Sequence, residues 1–163
     1  MKKKYALLLI LAAFLLSSCA TQQSRAERKA QVKKAVAEAV EKRQMHIGIN
    51  SMSTMRYGTR MVTSDFFLEL RGDSIRSYLP YLGQAHRAPV TWASQGLDFK
   101  APIKAIEESH PKKDLACLKF EVDINEDNLL YTIELYDTGK AYIHVRSFHR
   151  DPISFDGELE MAQ

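Results

Sequence analysis

Five histidines, at positions 46, 86, 110, 144 and 149, and two cysteines, Cys19 and Cys117, are the side chains of this 163-residue chain best suited to metal or nucleophilic chemistry. Only His144 and His149 are near neighbours, and five residues apart on or just past a strand points them to opposite faces, so no shared metal is expected. His-x-His, His-Glu-x-x-His, Gly-x-Ser-x-Gly, phosphate-cradling glycine loops and EF-hand patterns do not occur, and no cofactor is implied. Cys117 stands in a strand-like run, where a lone thiol is either a small packing group or one half of a remote Cys–His pair. Arg71-Gly72-Asp73 copies the integrin tripeptide, but it coincides with a predicted hairpin turn that wants Gly-Asp for its backbone angles. The remaining candidate is the irregular stretch from Ser77 to Trp92, in which Tyr78, Tyr81 and Trp92 crowd His86 and Arg87. Aromatic rings beside an imidazole and a guanidinium suit contact with a sugar, a peptide or a partner protein. The same stretch also suits a plug that seals the core.

Cys19 has a different chemistry written around it. Lys2, Lys3 and Lys4 precede an apolar run from Tyr5 to Leu16, too short for the roughly 20 residues of a spanning helix and suited to a secretory signal. Leu16-Ser17-Ser18-Cys19 closes that run and resembles the bacterial lipoprotein box, which implies cleavage before Cys19 and a diacylglycerol on its thiol. The formal charge of +3 lies wholly in the three signal lysines, so residues 19–163 carry 20 basic and 20 acidic side chains. That balance argues against nucleic acid as a partner and makes lipid on Cys19, not a polybasic patch, the expected membrane attachment. The small polar residues after Cys19 carry no acidic signal for retention or export, so the expected location is the outer membrane, facing the periplasm and not the cell surface.

The elements that must position these residues follow from periodicity. The chain divides into a lipoprotein signal peptide (1–18), a tether (19–24), an amphipathic helix (25–43) and a sheet domain (44–163). Ser24 with Glu27 has the spacing of a capping box, and Val32, Val36 and Val40 recur every four residues. The helix carries seven basic and three acidic residues, which leaves 13 basic and 17 acidic ones in residues 44–163. Its stripe is narrow, so the helix reads as a docked arm or spacer whose loss would cost the sheet little. After Gln44 the period changes to two: Met45, Ile47 and Ile49 alternate inward, Asn50 to Arg60 reads as a loop, and Val62 to Arg71 turns at Gly72-Asp73 into Ser74 to Tyr78. Further strands are expected at 97–99, 103–109, 115–124, 130–136 and 141–148, the last three as a meander. Ala116, Leu118, Phe120, Val122, Ile124, Ile133, Leu135, Ala141, Ile143 and Val145 share the core face. The fold class is therefore α+β, an antiparallel meander sheet with an N-terminal amphipathic helix.

Several segments also carry a family resemblance. Arg71-Gly72-Asp73, Ser77-Tyr78-Leu79-Pro80-Tyr81-Leu82-Gly83, Phe99-Lys100-Ala101-Pro102-Ile103 and Ile153-Ser154-Phe155-Asp156-Gly157 look like the domain-of-unknown-function family 4251, lipoproteins of Bacteroides-type bacteria. The resemblance covers nearly all of residues 25–160 and implies a compact antiparallel α+β domain in the envelope, without catalytic residues or a cofactor. The expected function is that of a non-catalytic envelope lipoprotein binding a partner protein, a glycan or a small ligand, with Tyr78, Tyr81, His86, Arg87 and Trp92 as the contact residues. The alternative is a periplasmic hydrolase whose site assembles near His86 and Arg87.

Overall fold

A computed structural model describes residues 24–63, 65–83, 96–124 and 127–161. Helix α1 (24–42) precedes ten strands: β1 (Gln44–Thr54), β2 (Gly58–Met61), β3 (Phe67–Arg71), β4 (Ser74–Leu79), β5 (Leu97–Pro102), β6 (Ile106–Lys112), β7 (Leu115–Ile124), β8 (Asp127–Tyr136), β9 (Lys140–Ser147) and β10 (Ile153–Leu159). No helix among the described residues is long and apolar enough to cross a membrane.

All pairings are antiparallel, in the order β5-β4-β3-β1-β10-β9-β8-β7-β6, with β2 paired to β1 off that path. Strands β7 to β9 form the expected meander, and β6 pairs with β7 at its far edge. Strand β10 then inserts between β9 and β1 and joins the two halves of the sheet. Alternation places the predicted core residues of β7, β8 and β9 on the buried face, with Ile124 at the end of β7 only partly buried, while Lys119, Glu121 and Arg146 face outward. The expected loop from Asn50 to Arg60 is instead mostly strand. Val62 donates its N–H to the Asn50 carbonyl, and Ser51 to Thr54 pair with β10 on one side and β2 on the other. A register shift between Ile49 and Ser51 marks the point where β1 exchanges β3 for β2 as its neighbour, so pairing overrides the turn-like composition there.

The sheet curls until its separated strands meet. The Lys104 N–H donates to the Glu121 carbonyl of β7 at 3.1 Å, just beyond β5. Inside the curl, Tyr131 of β8 is fully buried, stacked on Phe120 with ring centres 5.4 Å apart and edge-on to Phe99. The Ser77 hydroxyl of β4 donates to the Leu97 carbonyl at 2.7 Å, which leaves its oxygen to accept from the Tyr131 hydroxyl 3.3 Å away. Burial pushes the Tyr131 phenol well above its ordinary pKa, so it stays a proton donor. Gly157 completes the packing: a Cβ there would lie 2.3 Å from the Gly48 carbonyl oxygen, so no side chain fits where β10 crosses β1.

Helix α1 closes one end of the curl. Val32 touches Gly139 in the β8–β9 turn, Lys33 pairs with Asp137 at 3.1 Å, and at the far end the Arg43 carbonyl accepts from Gly72 in the β3–β4 turn. Between these contacts Val36, Ala39 and Val40 are buried at 5, 9 and 5% exposure and belong to the same core as Ile47 and Leu135. The stripe is narrow, but it covers the mouth of the main core. This corrects the reading of a dispensable arm. Residues 24–31, by contrast, are all exposed.

Candidate functional site

The opposite end of the curl collects the β1–β2 turn, the segment that follows β4, the start of β8 and the β9–β10 connection. Of the residues expected to form a contact site, His86, Arg87 and Trp92 lie outside the described residues, as does Cys19. The hydrolase alternative rests on that same unseen pair, His86 and Arg87. Tyr78 and Tyr81 are both half-buried but stand in different settings. Alternation within β4 turns Tyr78 to the outer face, opposite Ser77. Its ring packs there against Phe66 and Phe67, with centres 5.1 and 5.8 Å away, and Phe67 in turn stacks on His46. Tyr81, past the end of β4 and beyond Pro80, leans on the core and donates its hydroxyl to the Asp151 carbonyl at 3.1 Å. Desolvation, and secondarily the Asp151 carboxylate, hold its phenol above the ordinary pKa, so it too is a donor.

Around Tyr81 the structure assembles residues that sequence reading did not single out. The Arg150 guanidinium lies over the Tyr81 ring, 5.4 Å from its centre, and its Nε faces the Asp127 carboxylate at 3.6 Å. Both side chains of that ion pair are nearly buried, at 12 and 11% exposure. The Ser147 hydroxyl lies 2.9 and 2.8 Å from the two oxygens of Asp127, and the same hydroxyl oxygen accepts from the His149 N–H. Arg56 pairs with Asp151 at 3.4 Å. Asp127 thus has its lone pairs engaged by a cation and a hydroxyl, an arrangement that fixes loop geometry and leaves little freedom for proton transfer. Outside this cluster stand three exposed apolar side chains, Met55 at 90%, Phe148 at 83% and Tyr57 at 47%, the last beneath the Arg60 guanidinium and next to the exposed Arg56.

Elsewhere the candidate chemistry resolves into packing. The Arg71-Gly72-Asp73 segment is the β3–β4 hairpin turn, with Gly72 at φ +60°. Cys117 is half-exposed on the outer face, opposite Ser109 and Glu134 in the neighbouring strands. His144 Nδ1 lies 2.9 Å from the Ser154 hydroxyl, and burial together with Arg146 lowers the imidazole pKa, favouring the neutral ring. Among the described residues no three His, Cys, Asp or Glu side chains converge to hold a metal ion.

Comparison with known proteins agrees with this architecture. The family described as "Domain of unknown function (DUF4251)" matches residues 27–159. The crystal structure of a DUF4251 family protein from Bacteroides eggerthii DSM 20697 superposes with a TM-score of 0.61 at 16% identity, covering 80% of this chain and 87% of that one, a likeness of fold. No curated protein matches the chain.

Proposed function

The chain belongs to the DUF4251 family, and from that premise we propose that it is a non-catalytic cell-envelope lipoprotein, held by lipid on Cys19 to the periplasmic face of the outer membrane, that binds an envelope protein. The observation that carries this reading is the exposed rim of Met55, Tyr57 and Phe148 on the end of the curl away from α1. The charges behind that rim are matched to one another, Arg150 with Asp127 and Arg56 with Asp151, so the end offers apolar surface over a rigid base. The helix leads from the anchor residue to the closed end and leaves the rim facing away from it.

Two experiments test the reading. In cells fed an alkyne analogue of palmitate, the wild-type chain acquires the label and Cys19→Ala does not; label retained by Cys19→Ala would place the lipid elsewhere. A photo-crosslinking phenylalanine at position 148 yields a discrete protein adduct in intact cells, whereas the same group at Lys119, on the outer sheet face, does not. An absent adduct at 148, or an identical pattern at both positions, overturns the assignment of the rim.

A further inference from the structure

The first two turns of α1 carry charge that the described fold does not neutralise. Farther along the helix each cation has a partner: Lys33 has Asp137 at 3.1 Å, Lys34 and Lys42 have Glu38 at 3.8 and 3.4 Å, and Arg43 has Asp73 at 3.8 Å. Arg25, Arg28 and Lys29 have no carboxylate within ion-pair distance among the described residues, and every residue from 24 to 31 is exposed. Their three- and four-residue spacing puts them on one face of the helix. Val32 lies against Gly139 in the β8–β9 turn. The eight described residues of α1 before it, all exposed, extend about 12 Å along the helix axis at 1.5 Å per residue.

The position of this charge relative to the anchor decides its occupant. If Cys19 bears lipid, the chain from it to Ser24 spans at most about 17 Å fully extended. Arg25 is then confined close to the membrane surface, where a screening length of roughly 8 to 10 Å still lets headgroup charge act. The sheet domain is acidic, with 13 basic and 17 acidic residues in 44–163, so the same surface repels it weakly while attracting the helix.

We propose that Arg25, Arg28 and Lys29 bind the anionic phospholipid surface beside the anchor and so set the helix as an oriented strut, with the sheet domain held away from the bilayer. The proposal rests on the lipid-anchored reading, but its test does not use the lipid. A chain beginning at Ala20 keeps every described residue and lacks the acyl chains. It should sediment with vesicles containing phosphatidylglycerol, less so as salt rises, and not with vesicles of phosphatidylcholine alone. At roughly fivefold per charge near an anionic surface, the triple variant Arg25→Gln, Arg28→Gln, Lys29→Gln should lose roughly a hundredfold in partitioning with an unchanged melting curve. Lys112→Gln, Lys119→Gln, Arg146→Gln, on the sheet, should partition as the unsubstituted chain does. Equal binding to both vesicle types, or equal loss from the two triple variants, overturns the proposal. Binding to a soluble acidic polysaccharide without binding to the anionic vesicles also overturns it and assigns the three cations to a glycan. An unlabelled Cys19 in the palmitate experiment would remove the anchor while leaving the vesicle result standing, so the two failures are distinct.

Discussion

A chain that begins at Gln44 will show no cooperative thermal transition. The truncation removes Val36, Ala39 and Val40, all buried in the core that also contains Ile47 and Leu135, and opens the end of the curled sheet to water. Each buried valine contributes roughly 1.5 to 3 kcal/mol, so the two valines alone approach the lower bound of the roughly 5 to 15 kcal/mol that stabilises an ordinary domain. Newly exposed core atoms beneath the helix add to that loss. The helix does not contribute uniformly. Of the described residues a chain beginning at Gln31 discards only the exposed 24–30, and it should melt within a few degrees of the full-length protein. Within the complete chain, Val36→Ala or Val40→Ala should each cost roughly 1.5 kcal/mol, at about 0.8 kcal/mol per buried carbon removed. Circular dichroism melts of the four proteins check the set. A Gln44-start chain that melts at the full-length midpoint would show that the sheet closes its own core.

Asp127→Ala is expected to be the most damaging single substitution at the other end. It leaves the Arg150 guanidinium, 12% exposed and wedged over Tyr81, without its counter-charge, and it deprives the Ser147 hydroxyl of its acceptor. Breaking one partner of a buried ion pair costs roughly 3 to 5 kcal/mol, because the remaining charge stays desolvated. Replacing both partners by apolar residues of similar volume is far milder, for the same reason. The double variant Asp127→Leu, Arg150→Met should therefore unfold at a higher urea midpoint than Asp127→Ala alone. A double-mutant cycle in urea measures the coupling directly. If the losses of Asp127→Leu and Arg150→Met, each made singly, simply add in the double variant, the pair is an uncoupled surface contact and not the clasp that joins β8 to the β9–β10 connection. A ligand site at this end would then have lost its rigid base, and the crosslink from position 148 should be tested in that background.

What could be read from the sequence depended on the range of the physics involved. Strand alternation is local: the side chains of Leu118, Phe120 and Val122 must share a face whatever the neighbours are, and all three are buried. Turn chemistry is local too, so the Gly72-Asp73 hairpin was legible, with Gly72 in the left-handed region that its composition announced. Valines four residues apart identified α1 as a helix with an apolar stripe. They did not reveal that the stripe covers the mouth of the main core, because the burial of Val36 and Val40 depends on turns brought together from residues 72 and 139. Strand adjacency is equally non-local. The stretch from Ser51 to Thr54 looks like loop by composition, yet pairs on both sides once β10 returns from the far end of the chain. The same limit applies to the candidate site. Tyr78 and Tyr81 were visible as aromatic residues in an irregular stretch, but the side of β4 on which each ring ends was not. Ser77 and Tyr131 meet across 54 residues, and Tyr81, Asp127 and Arg150 come from the segment after β4, the start of β8 and the β9–β10 connection. Their types alone announce nothing, since a tyrosine, an aspartate and an arginine acquire joint meaning only when folding removes the water between them.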